Sequence, residues 1–403
     1  MPLPDNFVAS LAFIHPRDVA ALWKEGAYPK DGDIIALRNE VRPVDLYCYL
    51  GARFGHPNGI QNFLRKDDSD NLIHWEWTLR HAEGIVSFQG QNFRTEVLLH
   101  GPVTITEADK DLIVCQLKAD FSAYGKRMGA VRHALEDWTE LVNPYQRLRR
   151  SVNGLLQELD ELYLDPDKDR IDDHWTTADS ESENQRWQDL CLRYTRAFRL
   201  AFALRSMLPV MAESYVNLIM FILLRPEIKS DPRLRENAIR QPIDVRIKLL
   251  FLYCVGFVKQ PDFSAEPCRQ YHSLVNERND LLHGNIVVDK LKFNDVYFMG
   301  RVPVFREYRS MWQRSLDIQM QAVGLVNVRN ELAVVDNLIR YIESCMQPTI
   351  RDQVRQVADA YEIGWNKQTS RPGVLFPPHL VDMLIEPRSQ SDIGLSGFNS
   401  PPT

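Results

Sequence analysis

The clearest signal along the chain is a change in the period of its apolar positions. From Leu72 to Leu79 apolar and polar residues alternate, and the runs Gly84 to Gly90 and Phe93 to His100 are short, apolar and bounded by polar or glycine residues. Successive strand side chains point to opposite faces, so these segments predict a small antiparallel sheet with one face buried. The period then lengthens to that of a helix over about 109–140 and 145–163. Thr106 followed by Asp109 forms the start signal, although the usual partner at that spacing is Glu or Gln. Further helical patterns cover about 184–207, 210–225, 243–258, 267–283 and 306–346. Pro144, Pro166, Pro226 and Pro232 fall at their boundaries. The fold class expected is therefore α+β: a small N-terminal antiparallel-sheet domain followed by a mainly α-helical region.

Between the two patterns the chain turns acidic and loses apolar groups, with Asp165, Asp167, Asp169, Asp172, Asp173, Asp179, Glu181 and Glu183. Its first part superficially resembles a calcium loop. Position six is Arg170 rather than Gly, however, and position twelve is Thr176 rather than a bidentate Glu, so a solvated linker is expected. The organisation predicted is a mixed domain with trailing helices over 1–165, an acidic linker over 166–183, a helical bundle over 184–346, and a C-terminal strap or tail over 347–403 rich in Pro, Ser and Gly.

Composition narrows the function. A net charge of -6, from 48 basic and 54 acidic residues, creates no general field for polyanions, so nucleic-acid contact must be local. The six cysteines are far apart and form no short-spaced metal pair, which fits reduced thiols in the cytoplasm and predicts no metal and no cofactor. The N-terminus, Met1-Pro2-Leu3-Pro4-Asp5-Asn6, lacks the pattern of a secretory signal. The longest apolar stretch, Met207 to Leu224, contains Pro209, Glu213 and Asn217 and is expected to be a buried helix rather than a membrane span.

Candidate chemistry concentrates in Tyr271-His272-Ser273-Leu274-Val275-Asn276-Glu277-Arg278-Asn279-Asp280-Leu281-Leu282-His283-Gly284. At about 100° per residue, Tyr271, Leu274, Val275, Leu281 and Leu282 share one arc that should pack. Arg278 lies near the middle of that arc, where an unpaired guanidinium is costly, so it requires a carboxylate, a route to solvent, an interface or a bound phosphate. His272, Asn276, Asn279 and His283 form a neighbouring polar arc, with Asp280 three residues before His283 on its other side. Gly284 reads as the residue that ends the helix, placing His283 in the final turn, where the helix dipole favours imidazolium.

Arg278-Asn279-Asp280-Leu281-Leu282-His283 resembles the Arg, polar residue, further residues, His signature of the HEPN superfamily, and the following Gly284 is similar to members of the abortive-infection and phage-defence type. Met211 to Met220, with Glu213 and Asn217, resembles the acidic, Asn-containing early helix of such bundles. The resemblance covers about residues 184–346. It implies a helical bundle that homodimerises with the motif at its interface, and metal-independent cleavage of RNA. In that chemistry the ribose 2′-hydroxyl attacks phosphorus, His283 transfers a proton and Arg278 holds the phosphoryl oxygens. Asn279, Asp280, Glu213 and Asn217 would support them. The first 160 residues would sense a trigger, such as a phage-derived one, or restrain the effector.

The competing expectation is a noncatalytic helical interaction or RNA-binding module in which Arg278 makes a structural ion pair. Elsewhere, Lys126, Arg127, Arg132, Arg147, Arg149 and Arg150 read as helix surface or as an RNA-facing patch. Trp75 and Trp77 read as anchors of the sheet core, and Gly51 to Gly59 as a turn without phosphate-loop chemistry.

Overall fold

A computed structural model describes residues 3–29, 31–64, 72–81, 84–171 and 180–376. The class is α+β, and the chain divides into two compact units. One comprises Met1–Glu140 with Gly364–Ser370 and the segment from Leu375, the other Leu141–Ile363 with Arg371–Val374. The division at Glu140 and Leu141 precedes the boundary expected at 165.

In the first unit, β1 (Ala12–Phe13), β2 (Gly32–Leu37), β3 (Trp75–His81), β4 (Gly84–Gly90) and β5 (Thr95–His100) form an antiparallel sheet in the order β1-β3-β4-β5-β2. The three segments with strand character, 72–79, 84–90 and 93–100, are its centre. Register follows the pleat: Trp77 faces Phe88 across β3 and β4, and Phe88 faces Val97 across β4 and β5. All three are fully buried. They pack with Leu46, Tyr49 and Leu50 of α1 (Pro43–Phe54) and Ile113 and Leu117 of α2 (Glu107–His133). Trp77 also donates from Nε1 to the Gly55 carbonyl at 3.1 Å, and Trp75 meets its ring edge-on. Gly51 lies inside α1 rather than in a turn, while Gly55, at φ 83°, ends that helix.

The N-terminal signal of α2 is a complete capping box: Thr106 Oγ1 accepts from the Asp109 backbone N–H, and Asp109 returns the bond to the Thr106 N–H. The helix stops at His133 instead of continuing to 140. The segment Trp138–Val142 is a strand, β6, as its Trp-Thr-Glu-Leu-Val alternation permits.

The second unit is helical. Its long elements are α3 (Pro144–Asp160), α4 (Ser180–Leu223), α5 (Ile243–Tyr253), α6 (Glu266–His283), α7 (Val328–Ser344) and α8 (Pro348–Asp359). Helix α4 is the central element and replaces the two helices expected over 184–207 and 210–225, because Pro209 sits inside it. A helix-interior proline forfeits one backbone bond and ordinarily costs about 3 kcal/mol. Here Leu208, Met211, Ala212, Tyr215 and Val216 are buried around it, and its carbonyl accepts from the Tyr271 hydroxyl at 3.0 Å. By length and apolar character α4 could span a bilayer, but Leu208, Met211, Tyr215, Ile219 and Leu223 lie in the core of this unit.

Two expectations change within the helical region, and a further element lies where no period predicts one. Residues 306–346 do not form one helix: Gly324, at φ 62°, breaks the run before α7. Ahead of that break the chain forms a hairpin of β7 (Val296–Met299) and β8 (Val302–Phe305), which no helical period could reveal. Residues 347–376 are not a loose strap, because Val354, Val357, Ala358 and Ile363 enter the core and Asn143 Nδ2 donates to the carbonyls of Val357, Ala358 and Ala360. The end of the expected tail, 377–403, and the linker residues 172–179 lie outside the described residues. In the described part of the linker, Asp165 caps a short helical turn and Asp169 accepts from the Tyr194 hydroxyl at 2.8 Å.

An ion-pair cluster ties α4, α6 and α7 together. Arg205 donates from Nε to Glu331 at 2.6 Å, from Nη2 to Glu277 at 2.9 Å and from Nη1 to the Val323 carbonyl at 3.2 Å. The backbone turns at Gly324 directly against this guanidinium, where an added Cβ would come within 2.4 Å of Arg205 Nη1. Gly324→Ala therefore combines steric overlap with a left-handed backbone that costs about 1–3 kcal/mol for residues bearing Cβ. A lowered midpoint in thermal or urea unfolding is expected; an unchanged midpoint would show that the turn yields freely.

Candidate functional site

Helix α6 begins at Glu266 with Pro267 in its first turn and ends after His283, where Gly284 adopts φ 64°. The Gly284 and Asn285 backbone N–H groups both donate to the Asp280 carbonyl, closing the helix as the glycine signal predicts. Packing along the helix is uneven. Cys268, Tyr271 and Leu274 are buried and Val275 packs on the core, whereas Leu282, expected on the same apolar arc, is exposed. The final turn thus projects beyond the bundle core and carries the candidate residues with it.

Arg278 is reached from α4 by Glu213. Its Nη2 lies 3.6 Å from Glu213 Oε1, close enough for charge attraction but too long for a hydrogen bond. Glu213 spends its other oxygen on Arg246 of α5, whose Nη2 donates at 3.0 Å. Arg246 also donates from Nη1 to Asn217 Oδ1, four residues along the same face of α4. One carboxylate therefore serves two guanidiniums, and this group of charges retains one net positive charge. Arg246 is buried and Arg278 retains 20% exposure of its side chain, so the guanidinium facing solvent is that of Arg278. The Nε groups of both arginines are buried without a hydrogen-bond partner. Burial and Glu213 push the Tyr271 hydroxyl far above its ordinary range, leaving it a neutral donor to the Pro209 carbonyl.

Among the described residues, the side chains of Arg278, Asn279 and His283 make no hydrogen bond to another protein group. His283 is exposed, and Asn279 is half-buried. The donors of this end of α6 are therefore not consumed by the fold. The other residues expected to support them are placed differently. Asp280 accepts from Asn285 Nδ2 at 2.9 Å and orders the loop after the helix. Asn217 serves Arg246 rather than α6. Glu213 alone among the four supporting residues connects to Arg278. His272, on the polar arc, meets Phe263 edge-on.

Two basic groups escaped the sequence reading. Arg246, in Ile243-Asp244-Val245-Arg246-Ile247, interrupts an apolar run just as Arg278 does, and that shared signal could have flagged it. Arg205 interrupts the apolar stretch of α4 in the same way. With Glu277, Asp280, Gly284 and Asn285 it lines a cavity of about 630 Å³ beside the C-terminal half of α6. Of the basic residues considered for RNA contact, Arg149 pairs with Asp336 at 2.5 Å, Arg150 lies over the Tyr361 ring and Arg132 pairs with Asp45. Arg147 is exposed.

The arrangement can do two things. A tethered, partly exposed guanidinium can receive an anion, since its planar fork suits phosphate oxygens. An exposed imidazole in the same helix offers a ring nitrogen that can accept or donate a proton. The two lie about 140° apart around the helix axis, so both act on one substrate only at the helix end or across two copies of it. No protein-family model, curated protein or solved structure matches the chain.

Proposed function

We propose that this protein is a metal-independent endoribonuclease of the HEPN kind, acting as a homodimer in the cytoplasm and used as a defence or toxin-type effector, with the N-terminal unit receiving the trigger or restraining cleavage. The observation that supports this best is the state of Arg278. Its charge is steered by Glu213 without a hydrogen bond, its donors are uncommitted, and one positive charge is left over where a phosphodiester would bind. Arg278 neutralises the phosphoryl oxygens as negative charge builds on them. His283 takes the proton from the 2′-hydroxyl or returns one to the departing 5′-oxygen, while Asn279 orients phosphate or imidazole. The O2′–P bond forms as the P–O5′ bond breaks, giving a 2′,3′-cyclic phosphate and a 5′-hydroxyl.

A second reading has its own observation. Because Arg278 meets a carboxylate and His283 faces solvent in a single chain, both also suit a noncatalytic interaction or RNA-binding module. Product chemistry separates the two. Purified chain, with its N-terminal unit relieved by the cognate trigger or by partial proteolysis, should produce fragments ending in 2′,3′-cyclic phosphate in the presence of a chelator. The same oligonucleotide with a single 2′-deoxy substitution should resist at that position. RNA bound without cleavage under those conditions, or cleavage that ignores the 2′-deoxy substitution, overturns the nuclease mechanism.

A further inference from the structure

The hairpin that follows the candidate site is apolar on both faces. Tyr297, Phe298 and Met299 of β7 and Val302 of β8 are 60–80% exposed, and Ile286, in the connection from α6, is 82% exposed. A two-stranded ribbon is marginal in water by itself. Val296 of β7 and Val304 of β8 add further exposed apolar side chains to the same ribbon. Such a surface on a folded chain marks a contact site.

The register of the hairpin states which edge can be extended. Gly300, at φ 64°, and Arg301 form a two-residue turn, so Met299 and Val302 are a hydrogen-bonded pair. Pairs then alternate: Phe298 with Pro303 is not hydrogen-bonded, Tyr297 with Val304 is, and Val296 with Phe305 is not. The Arg306 N–H donating to the Asp295 carbonyl at 3.2 Å continues the alternation. Members of the non-bonded pairs turn their backbone groups outward. On β8 one of these is Pro303, which has no N–H and blunts that edge. On β7 they are Val296 and Phe298, both with intact N–H groups, in a strand with no charged residue, and among the described residues β7 pairs only with β8.

We infer that β7 pairs antiparallel with β7 of a second copy of this chain, giving a four-stranded sheet in which the Pro303 edges lie outermost. A second copy is the partner this edge fits. An uncharged strand is complementary to itself, and because Pro303 blunts the other edge of this hairpin, pairing through β7 closes at two copies instead of growing into a fibre. The inference deepens the dimeric reading proposed above by naming the element that joins the copies, and it does not depend on RNA cleavage.

Sedimentation and light scattering of the full chain test it, together with hydrogen exchange at single-amide resolution. A dimer is expected, with the Val296 and Phe298 amides protected at high concentration and released on dilution, while the Tyr297 amide, bonded inside the hairpin, stays protected. Phe298→Pro copies onto β7 the feature that already blunts β8 at a position where the ladder needs no N–H. It should raise the dissociation constant by roughly tenfold or more with an unchanged circular dichroism spectrum. A chain that remains monomeric at its highest soluble concentration overturns the inference, as does a dimer unweakened by Phe298→Pro or a wild-type dimer whose Val296 and Phe298 amides stay unprotected. A dimer that assembles this way yet cleaves no RNA leaves the inference standing and removes only the nuclease reading.

Discussion

His283→Ala should slow RNA cleavage by roughly 10²–10⁴-fold, the usual contribution of a positioned acid or base, while RNA binding, assembly and thermal stability remain those of the wild type. The expectation of normal folding follows from geometry: His283 is exposed and its imidazole makes no hydrogen bond to another protein group. Arg278→Ala should cost about 10²–10³-fold by removing the charge that faces the phosphoryl oxygens. Arg278→Lys should restore little, because an ammonium lacks the planar fork. Combining His283→Ala with Arg278→Ala should cost far less than the product of the two, since both residues serve one transition state. The reading fails if His283→Ala cleaves at the wild-type rate. It fails equally if Arg278→Ala loses activity only in proportion to a loss of folded protein, because that outcome assigns the arginine to the Glu213 ion pair alone.

The largest stability effect is expected at Arg205. Replacing it with methionine keeps much of the side-chain volume but leaves Glu331 buried without its cation, a change that typically costs about 3–5 kcal/mol. The pH dependence identifies the cause. Burial already raises the Glu331 carboxyl above its ordinary value, opposed by the charge and hydrogen bond of Arg205. Removing Arg205 deletes the opposing influence, so the carboxyl moves further up. A carboxyl whose folded value exceeds its unfolded value favours the fold below the unfolded value, and that advantage is lost as pH rises through the folded one. The deficit of Arg205→Met relative to wild type should therefore be smaller near about pH 5 than near pH 8 in urea unfolding. Adding Glu331→Gln should recover part of the loss at the higher pH. A deficit independent of pH and untouched by Glu331→Gln would show that the cost lies in packing around the guanidinium instead.

The sites of these predictions differ in how far local sequence discloses them. The α6 segment announces itself: a helical period from Tyr271, an arginine on the apolar arc and a terminating glycine are all local features, and the helix ends where Gly284 says it should. The requirement that Arg278 find a partner was also readable, because a guanidinium on a packing face has few alternatives. Its solution was not, since Glu213 is 65 positions away in the chain and Arg246 enters from a third helix. Asp280, adjacent to His283 on the helix surface, turns instead to Asn285 because the loop after Gly284 needs an anchor.

The central strands β3, β4 and β5, the boundaries of α6 and the capping box of α2 are all legible in the order of residues, because each is set by side-chain period or by a cap within a few residues. Tertiary structure decided that α4 runs through Pro209, that β6 replaces the end of a helix, that residues 347–376 join the core, and that β7 and β8 pair. It also decided that Arg205, Glu277 and Glu331 meet. The energies settling these points come from burial and charge pairing between segments distant in the chain, and no local pattern records which distant segments will meet.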